Sequence, residues 1–455
     1  MKAMALVPRA APRRLPGHPS GTPEGSDPKV IKGSPVQEGQ RLRRTPRSHQ
    51  TVGMTHPSAA SAAPKSSVLH PETRAVHVSA PSPIVGEPLS VPIFETSTYA
   101  FTDPDVIAAA MTRPDSEYTY TRYGNPTVRA LEMAVADLEG GAAALATSSG
   151  MGAINAILLG LVQSGDHVIA QRCLYGGSFA TLTRLQERFD VDVTFVGGTD
   201  ADEVRAALRP TSRVLYLETI ANPMTQVADL PALAEVARSA GLVIVVDNTF
   251  ASPVLCRPIE YGADVVIHST TKYLGGHSDV TGGIAVFADI ERYHALWKRF
   301  IEFGVTADPF AAWLTIRGLA TIALRVRQQS ESARFLTSRL IDHPAVSAVY
   351  WPGLPDHPSF RLAEQILADG GGVFAFDLAG GREAGRAVVS RVRLAKLAAS
   401  LGGVQTLVLH PASTSHRQLD AAALKEAGIG EGTIRVAVGL EHPADIWSDL
   451  NQALV

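Results

Sequence analysis

The stretch Ala263-Asp-Val-Val-Ile267, running straight into His268-Ser269-Thr270-Thr271-Lys272-Tyr273-Leu274-Gly275-Gly276-His277, joins a short apolar run to two hydroxyl residue types and a lysine. The run is apolar at nearly every position rather than at alternate ones, the pattern of a strand buried on both faces. Six more segments share that texture: Ala142–Thr147, His167–Gln171, Val193–Val196, Arg213–Leu217, Leu242–Val246 and Gly283–Phe287. Helical patterns stand between them, among them Asp202–Leu208 and Leu230–Ser239. Strands alternating with helices predict an α/β fold, a mostly parallel seven-stranded sheet flanked by helices. In such sheets ligands sit at the carboxyl ends of the strands. The residues just after each run are therefore the candidate site.

Three strand ends carry chemistry. Ala142–Thr147 leads into Ser148-Ser149-Gly150-Met151-Gly152-Ala153-Ile154, which opens a helix. Small residues at that point expose backbone N–H groups at the positive helix end and suit a phosphate. A tight strand-to-helix turn would need the same residues. A dinucleotide fingerprint fits poorly, because Asn155 occupies the place of its third glycine. Leu242–Val246 ends in Asp247-Asn248-Thr249. An acid there either caps a turn or meets a cation, and a pyridinium nitrogen is such a cation. Lys272 follows Ser269 and Thr271, which can donate to a phosphate, and a Schiff-base lysine needs a site that lowers its pKa. Each feature alone has an ordinary structural explanation. A phosphate cradle, a pyridinium acid and a lysine on one sheet together predict pyridoxal 5'-phosphate (PLP).

The rest of the chain bounds the answer. It has 455 residues, 45% hydrophobic and 19% charged, which suits a soluble protein of two or three domains. Cys173 and Cys256 cannot build a disulfide framework or a zinc site, so a cytoplasmic location is expected. No apolar run approaches the ~18 residues that predict a membrane span. The net charge of −3 hides an asymmetry: residues 1–70 hold eleven basic and three acidic residues, leaving 30 basic and 41 acidic residues beyond them. An acidic body argues against a nucleic-acid partner. Residues 1–65, rich in Pro, Ser, Gly and Arg, predict a disordered tail. Two other readings stay open for it: an upstream extension with Met54 as the true start, or a basic transit peptide, against which the prolines count. Residues 66–125 then form an arm and 126–315 the large domain. Residues 316–455 form a smaller α+β domain with a long helix over about Ala320–Leu340 and strands at Gly372–Leu378, Gln405–Leu409 and Thr433–Val438.

Several stretches in one order resemble the cysteine/methionine-metabolism family of PLP enzymes, whose fold is the PLP-dependent transferase fold type I. They are Tyr120-Thr-Arg-Tyr-Gly-Asn-Pro-Thr127, Ser149-Gly-Met-Gly-Ala-Ile154, Glu218-Thr-Ile-Ala-Asn-Pro223, Val246-Asp-Asn-Thr249, His268-Ser-Thr-Thr-Lys-Tyr273, Gly276-His-Ser-Asp-Val280, Ser400-Leu-Gly-Gly403 and Ile434-Arg-Val-Ala-Val-Gly-Leu-Glu441. The resemblance spans roughly residues 70–455. It implies that Lys272 forms the Schiff base and shuttles protons, and that Asp247 pairs with the pyridine nitrogen. Gly150, Met151, Ser269 and Thr271 would bind the phosphate. Tyr175 would stack on the ring and act in acid–base steps. Asn222, Ser400 and Arg435 would meet the substrate, Arg435 clamping its α-carboxylate. Tyr120 and Arg122 would reach the phosphate of a neighbouring subunit, implying a homo-oligomer built from catalytic dimers. Glu218 would serve either packing or a hydrogen bond to a loop as readily as a direct role. His268, His277, His410 and His416 read as structural.

Within that family the sequence favours γ-elimination or γ-replacement on an amino-acid substrate with a homocysteine-type skeleton, cystathionine γ-lyase first. Cystathionine γ-synthase, O-acyl-homoserine sulfhydrylase and methionine γ-lyase are the alternatives. Gly177 stands where methionine γ-lyases carry a cysteine, and Gln405 where the cystathionine branches carry a glutamate. An NAD-binding oxidoreductase fits the alternating sheet but not the missing glycine fingerprint.

Overall fold

The computed structural model describes residues 70–77, 88–112, 118–415, 417, 424 and 428–455. The tail predicted over residues 1–65 lies outside them.

Seven strands form the larger sheet: β1 (Ala143–Thr147), β2 (His167–Gln171), β3 (Asp192–Val196), β4 (Ser212–Glu218), β5 (Val243–Asp247), β6 (Val265–His268) and β7 (Gly283–Phe287). Their order across the sheet is β1-β7-β6-β5-β4-β2-β3. All seven predicted runs are strands, with ends shifted by up to two residues. Alternate side chains feed two different cores, as a period of two requires. Val214 and Tyr216 point to the side covered by the helices Gly150–Leu161, Gly176–Phe189 and Ile290–Phe303. Leu215 and Leu217 point to the side covered by Pro126–Glu139, Leu230–Ser239 and Pro309–Leu319. His167, fully buried in β2, meets Ser212 Oγ at 2.8 Å and Thr194 Oγ1 at 2.9 Å.

The sheet is mixed rather than wholly parallel. β7 runs antiparallel to both β6 and β1. A parallel partner for β6 would need a crossover of a dozen or more residues, usually a helix. The chain between His268 and Gly283 is spent on the Lys272 loop instead. That loop turns back on itself, with Gly275 N–H donating to Thr270 O at 2.8 Å and Gly276 N–H to Lys272 O at 2.8 Å.

A second sheet of five strands has the order β10-β11-β12-β9-β8. Its members are β8 (Val346–Tyr350), β9 (Val373–Leu378), β10 (Lys396–Leu397), β11 (Leu407–Leu409) and β12 (Thr433–Ala437). β8 and β10 were not foreseen. β8 is an edge strand only partly buried, and β10 has two residues, so neither carries a continuous apolar run. The long helix spans Ile322–Leu340, two residues shorter than expected at its start, because Pro309–Leu319 forms a separate helix before it. Its Leu336 and Leu340 pack with Phe374, Phe376 and Val436 of this sheet.

Trp351 anchors that core. It is 1% exposed, and its indole N–H donates to Gly371 O at 2.8 Å. Trp351→Ala removes the ring and leaves that carbonyl unpaired. The expected loss is about 3–5 kcal/mol, read as a lower urea midpoint with an unchanged m-value.

Candidate active site

Three parallel strands, β4, β5 and β6, end side by side, and Glu218, Asp247 and Ser269 at their ends line one cavity of about 310 Å³. Glu218 and Asp247 are register partners on β4 and β5. Both are buried, at 3% and 9% exposure. Burial and the Asp247 charge hold the Glu218 carboxyl well above its ordinary range. Burial also raises Asp247, opposed by hydrogen bonds from Thr249 and by the nearby His268 ring. Asp247 accepts the Thr249 N–H at 2.9 Å, and Thr249 Oγ1 in turn accepts the Ser269 N–H at 2.9 Å. Thr249 thus ties the acid of β5 to the start of the lysine loop.

Glu218 accepts the backbone N–H of Tyr175 at 2.6 Å, while its other carboxyl oxygen is buried without a partner. Of the two roles left open for Glu218, the structure contains the hydrogen bond to the loop. Tyr175 itself is 49% exposed at the mouth of the cavity.

Lys272 lies half-buried with Nζ donating to Ser400 Oγ at 2.7 Å. Burial, with Arg435 adding its charge, lowers this amine to about 8. Arg435, 5% exposed on β12, donates to Asn222 Oδ1 at 3.0 Å and to Ser400 O at 2.8 Å. Its Nε is buried without a partner. Ser400 therefore addresses both cations, the amine through its hydroxyl and the guanidinium through its carbonyl. It does so with φ at +94°, a left-handed conformation that costs a non-glycine residue on the order of 1–3 kcal/mol.

Opposite lies the helix Gly150–Leu161. Ser149 caps it, Oγ accepting the Gly152 N–H at 3.0 Å. The first turn of a helix has no internal acceptors for its N–H groups. With Gly152 met by the cap, Gly150 and Met151 are the donors of this turn still to be satisfied. Gly150 has to be glycine, since a Cβ there would lie 2.8 Å from Ser269 Cβ. Thr271 also lines the cavity, but its hydroxyl is already engaged with Gly282, accepting its N–H at 3.0 Å and lying 3.3 Å from its carbonyl oxygen.

Ten of the twelve residues singled out from the sequence line this one cavity: Gly150, Met151, Tyr175, Asn222, Asp247, Ser269, Thr271, Lys272, Ser400 and Arg435. Tyr120 and Arg122 do not. Arg122 donates to Ile301 O at 3.1 Å, sits over the Tyr123 ring and lines a separate cavity. Gln405 is exposed and outside the Lys272 cavity. Among the histidines, His277 meets Gly275 O at 2.8 Å, and His410 meets Ser413 Oγ at 2.9 Å and Glu431 O at 2.7 Å. His416 lies outside the described residues. Thr249 was given no role, although it closes the quoted Asp247-Asn248-Thr249.

These groups fit PLP. The helix turn with Ser269 offers donors for a phosphate, and Lys272 offers a softened amine for the aldehyde. A buried acid, Asp247, stands beside a second carboxyl and calls for a cation such as a ring N–H. Arg435 keeps an unmet buried N–H for a carboxylate. Groups of His, Cys, Asp and Glu able to hold a metal are absent among the described residues.

Residues 72–455 match the family model described as Cys/Met metabolism PLP-dependent enzyme. L-methionine gamma-lyase of Fusobacterium nucleatum subsp. nucleatum is 40% identical over 387 residues, covering 84% of this chain and 97% of that protein. Cystathionine gamma-synthase of Mycobacterium tuberculosis is 41% identical over 387 residues, covering 84% and 96%. The crystal structure of cystathionine gamma synthase from Xanthomonas oryzae pv. oryzae in complex with cystathionine superposes with a TM-score of 0.80 at 38% identity, covering 85% of this chain and 98% of that one. Cystathionine gamma lyase from Micromonospora echinospora gives 0.79 at 36% identity, covering 85% and 99%. The chain is a PLP-dependent enzyme and belongs to the Cys/Met-metabolism family.

Proposed function

We propose that this enzyme carries out γ-elimination on sulfur amino acids with a homocysteine-type skeleton, L-cystathionine first among them. The observation that carries the reading is the joint hold of Ser400 on Lys272 and Arg435. A substrate whose α-carboxylate takes the free donor of Arg435 has its α-carbon one bond away, on the side of the Lys272 amine. PLP, when bound, supplies the electron sink for the carbanion formed there.

The chain's own groups do the rest. Lys272 Nζ takes the α-proton; its low basicity for a lysine keeps a neutral fraction available near neutral pH. Asp247 would pair with the ring nitrogen of bound PLP and favour its protonated form. Gly150, Met151 and Ser269 hold the phosphate, and Asn222 orients Arg435. Tyr175, at the mouth, protonates the departing sulfur. We assign Tyr120 and Arg122 to the phosphate of a neighbouring copy, so that the working unit is at least a dimer.

Methionine γ-lysis finds less support despite the 40% identity to such enzymes. A Cβ on Gly177 would lie 2.5 Å from Tyr175 Cε1 and 2.6 Å from Met151 Sδ, so a cysteine there would require the Tyr175 and Met151 side chains to move. γ-Replacement on an O-acyl-homoserine is the second reading. It is favoured by the likeness to two cystathionine γ-synthases.

The deciding measurement is keto-acid release by the PLP-loaded enzyme. 2-Oxobutanoate from L-cystathionine is expected. Its absence, with O-acyl-homoserine consumed only when a thiol is added, would transfer the assignment to the replacement reaction, and turnover of L-methionine alone would make it a methionine γ-lyase.

Two further outcomes follow from the cations. Arg435→Lys keeps the charge but loses the planar fork, and kcat/KM should fall on the order of 100-fold, most of it in KM. The Lys272 amine is a cation below about 8 and neutral above it. Only the neutral amine attacks an aldehyde, so reconstitution of the apoprotein with PLP should accelerate as pH rises through about 8 and level off beyond. Arg435→Met should move that midpoint upward, since a positive neighbour is gone; an unmoved midpoint would contradict the pairing.

A further inference from the structure

Outside the cavity lies a second set of buried polar groups that the reaction above does not use. Glu139 ends the helix Pro126–Glu139 and is fully buried. Its Oε1 accepts from His268 Nε2 at 2.6 Å and from Asn248 Nδ2 at 2.9 Å. His268 and Asn248 are also fully buried. They sit at the ends of β6 and β5, and Asn248 is the residue next to Asp247. Asn248 has its remaining side-chain groups met as well, donating to Cys256 O at 2.8 Å and accepting the Thr219 hydroxyl at 2.8 Å. Its N–H donates to Ile267 O at 2.9 Å. One carboxylate oxygen thus gathers the residues that follow Asp247 and Ile267, which are themselves register partners.

A network with only a packing role would be closed. This one is not: Glu139 Oε2 and His268 Nδ1 are both buried without a hydrogen-bond partner. Burying a carboxylate costs several kcal/mol unless something compensates it, and a hydrophobic pair of similar volume would fill the space without that cost. On the cavity side, Asp247 faces a second buried carboxyl, Glu218. On the other side it faces the His268 ring, which lies close enough to act on it electrically.

We propose that Glu139 is a positioning residue for the cofactor: through His268 and Asn248 it fixes the Asp247 carboxylate against the pyridine nitrogen. Glu139 touches neither PLP nor substrate. It holds the His268 ring beside Asp247 and, through Asn248, the backbone on which Asp247 rides. This rests on the assignment of Asp247 to the ring nitrogen, made above.

The test compares the binding of PLP with that of 1-deazapyridoxal phosphate, in which C–H replaces the ring nitrogen, by absorbance titration of the apoprotein. The wild type should prefer PLP. Glu139→Gln keeps the accepting oxygen and removes the charge. It should shrink that preference about tenfold, the low end of what loss of a supporting partner costs at metal sites, with binding of the deaza analogue unchanged. His268→Gln should do the same and serves if the first variant does not fold. Asp247→Asn is the control and should abolish the preference. If it does not, the Asp247 assignment fails and this proposal with it. If Asp247→Asn abolishes the preference while Glu139→Gln and His268→Gln weaken both ligands equally, Glu139 is a packing residue and only this proposal is overturned.

Discussion

Two carboxyl groups, Glu218 and Asp247, end adjacent parallel strands in register, and both are buried. Nothing in strand pairing or in the hydrophobic core rewards that arrangement, and at close range two like charges oppose each other strongly when water is excluded. The surroundings answer it group by group. Tyr175 and Thr249 donate backbone N–H groups, one to each acid. His268 stands on the far side of Asp247, and Thr249 carries the acid's position into the lysine loop. The site is built around a negative charge that the protein alone leaves only partly compensated, and this is the physical reason it suits a positively charged heterocycle.

The two sheets contribute unequally. The seven-stranded sheet supplies the phosphate turn, the acid and the lysine. The five-stranded sheet supplies Arg435, and the segment leading toward β11 supplies Ser400. Lys272 and Arg435 would repel each other if nothing stood between them: Arg435 adds to the burial that lowers the affinity of Lys272 for a proton, and burial lowers that of Arg435. Ser400 accepts from both. The amine that handles the α-proton and the cation that holds the α-carboxylate are therefore spaced by a single residue rather than by the relative placement of two large bodies.

Much of this was legible in the sequence. Buried parallel strands betray themselves by continuous apolar runs, so all seven strands of the larger sheet were located, and the residues following them could be inspected one by one. Lys272, Asp247, Gly150 and Arg435 were found in that way or through their resemblance to family motifs, and they share a cavity. The direction of β7 was not legible, because a strand's apolar run carries no sign. Glu139 was invisible because it ends an ordinary amphipathic helix more than a hundred residues from His268. Tyr120 and Arg122 were legible only through resemblance, and within one chain both lie outside the Lys272 cavity, Arg122 lining another. The Thr271 hydroxyl was expected on the phosphate and is bonded to Gly282, a loop closure that no local pattern announces.

The left-handed backbone at Ser400 limits how this position can drift. The backbone there favours glycine, the residue most easily accommodated at φ of +94°. Glycine would keep the carbonyl that serves Arg435 but would give up the hydroxyl that serves Lys272. Alanine would keep the strain and lose the hydroxyl as well. Threonine would keep the hydroxyl and add a β-branch where the backbone tolerates it least. Serine is thus a compromise with few exits, and a homologue that replaces it must also have found another way to hold its lysine.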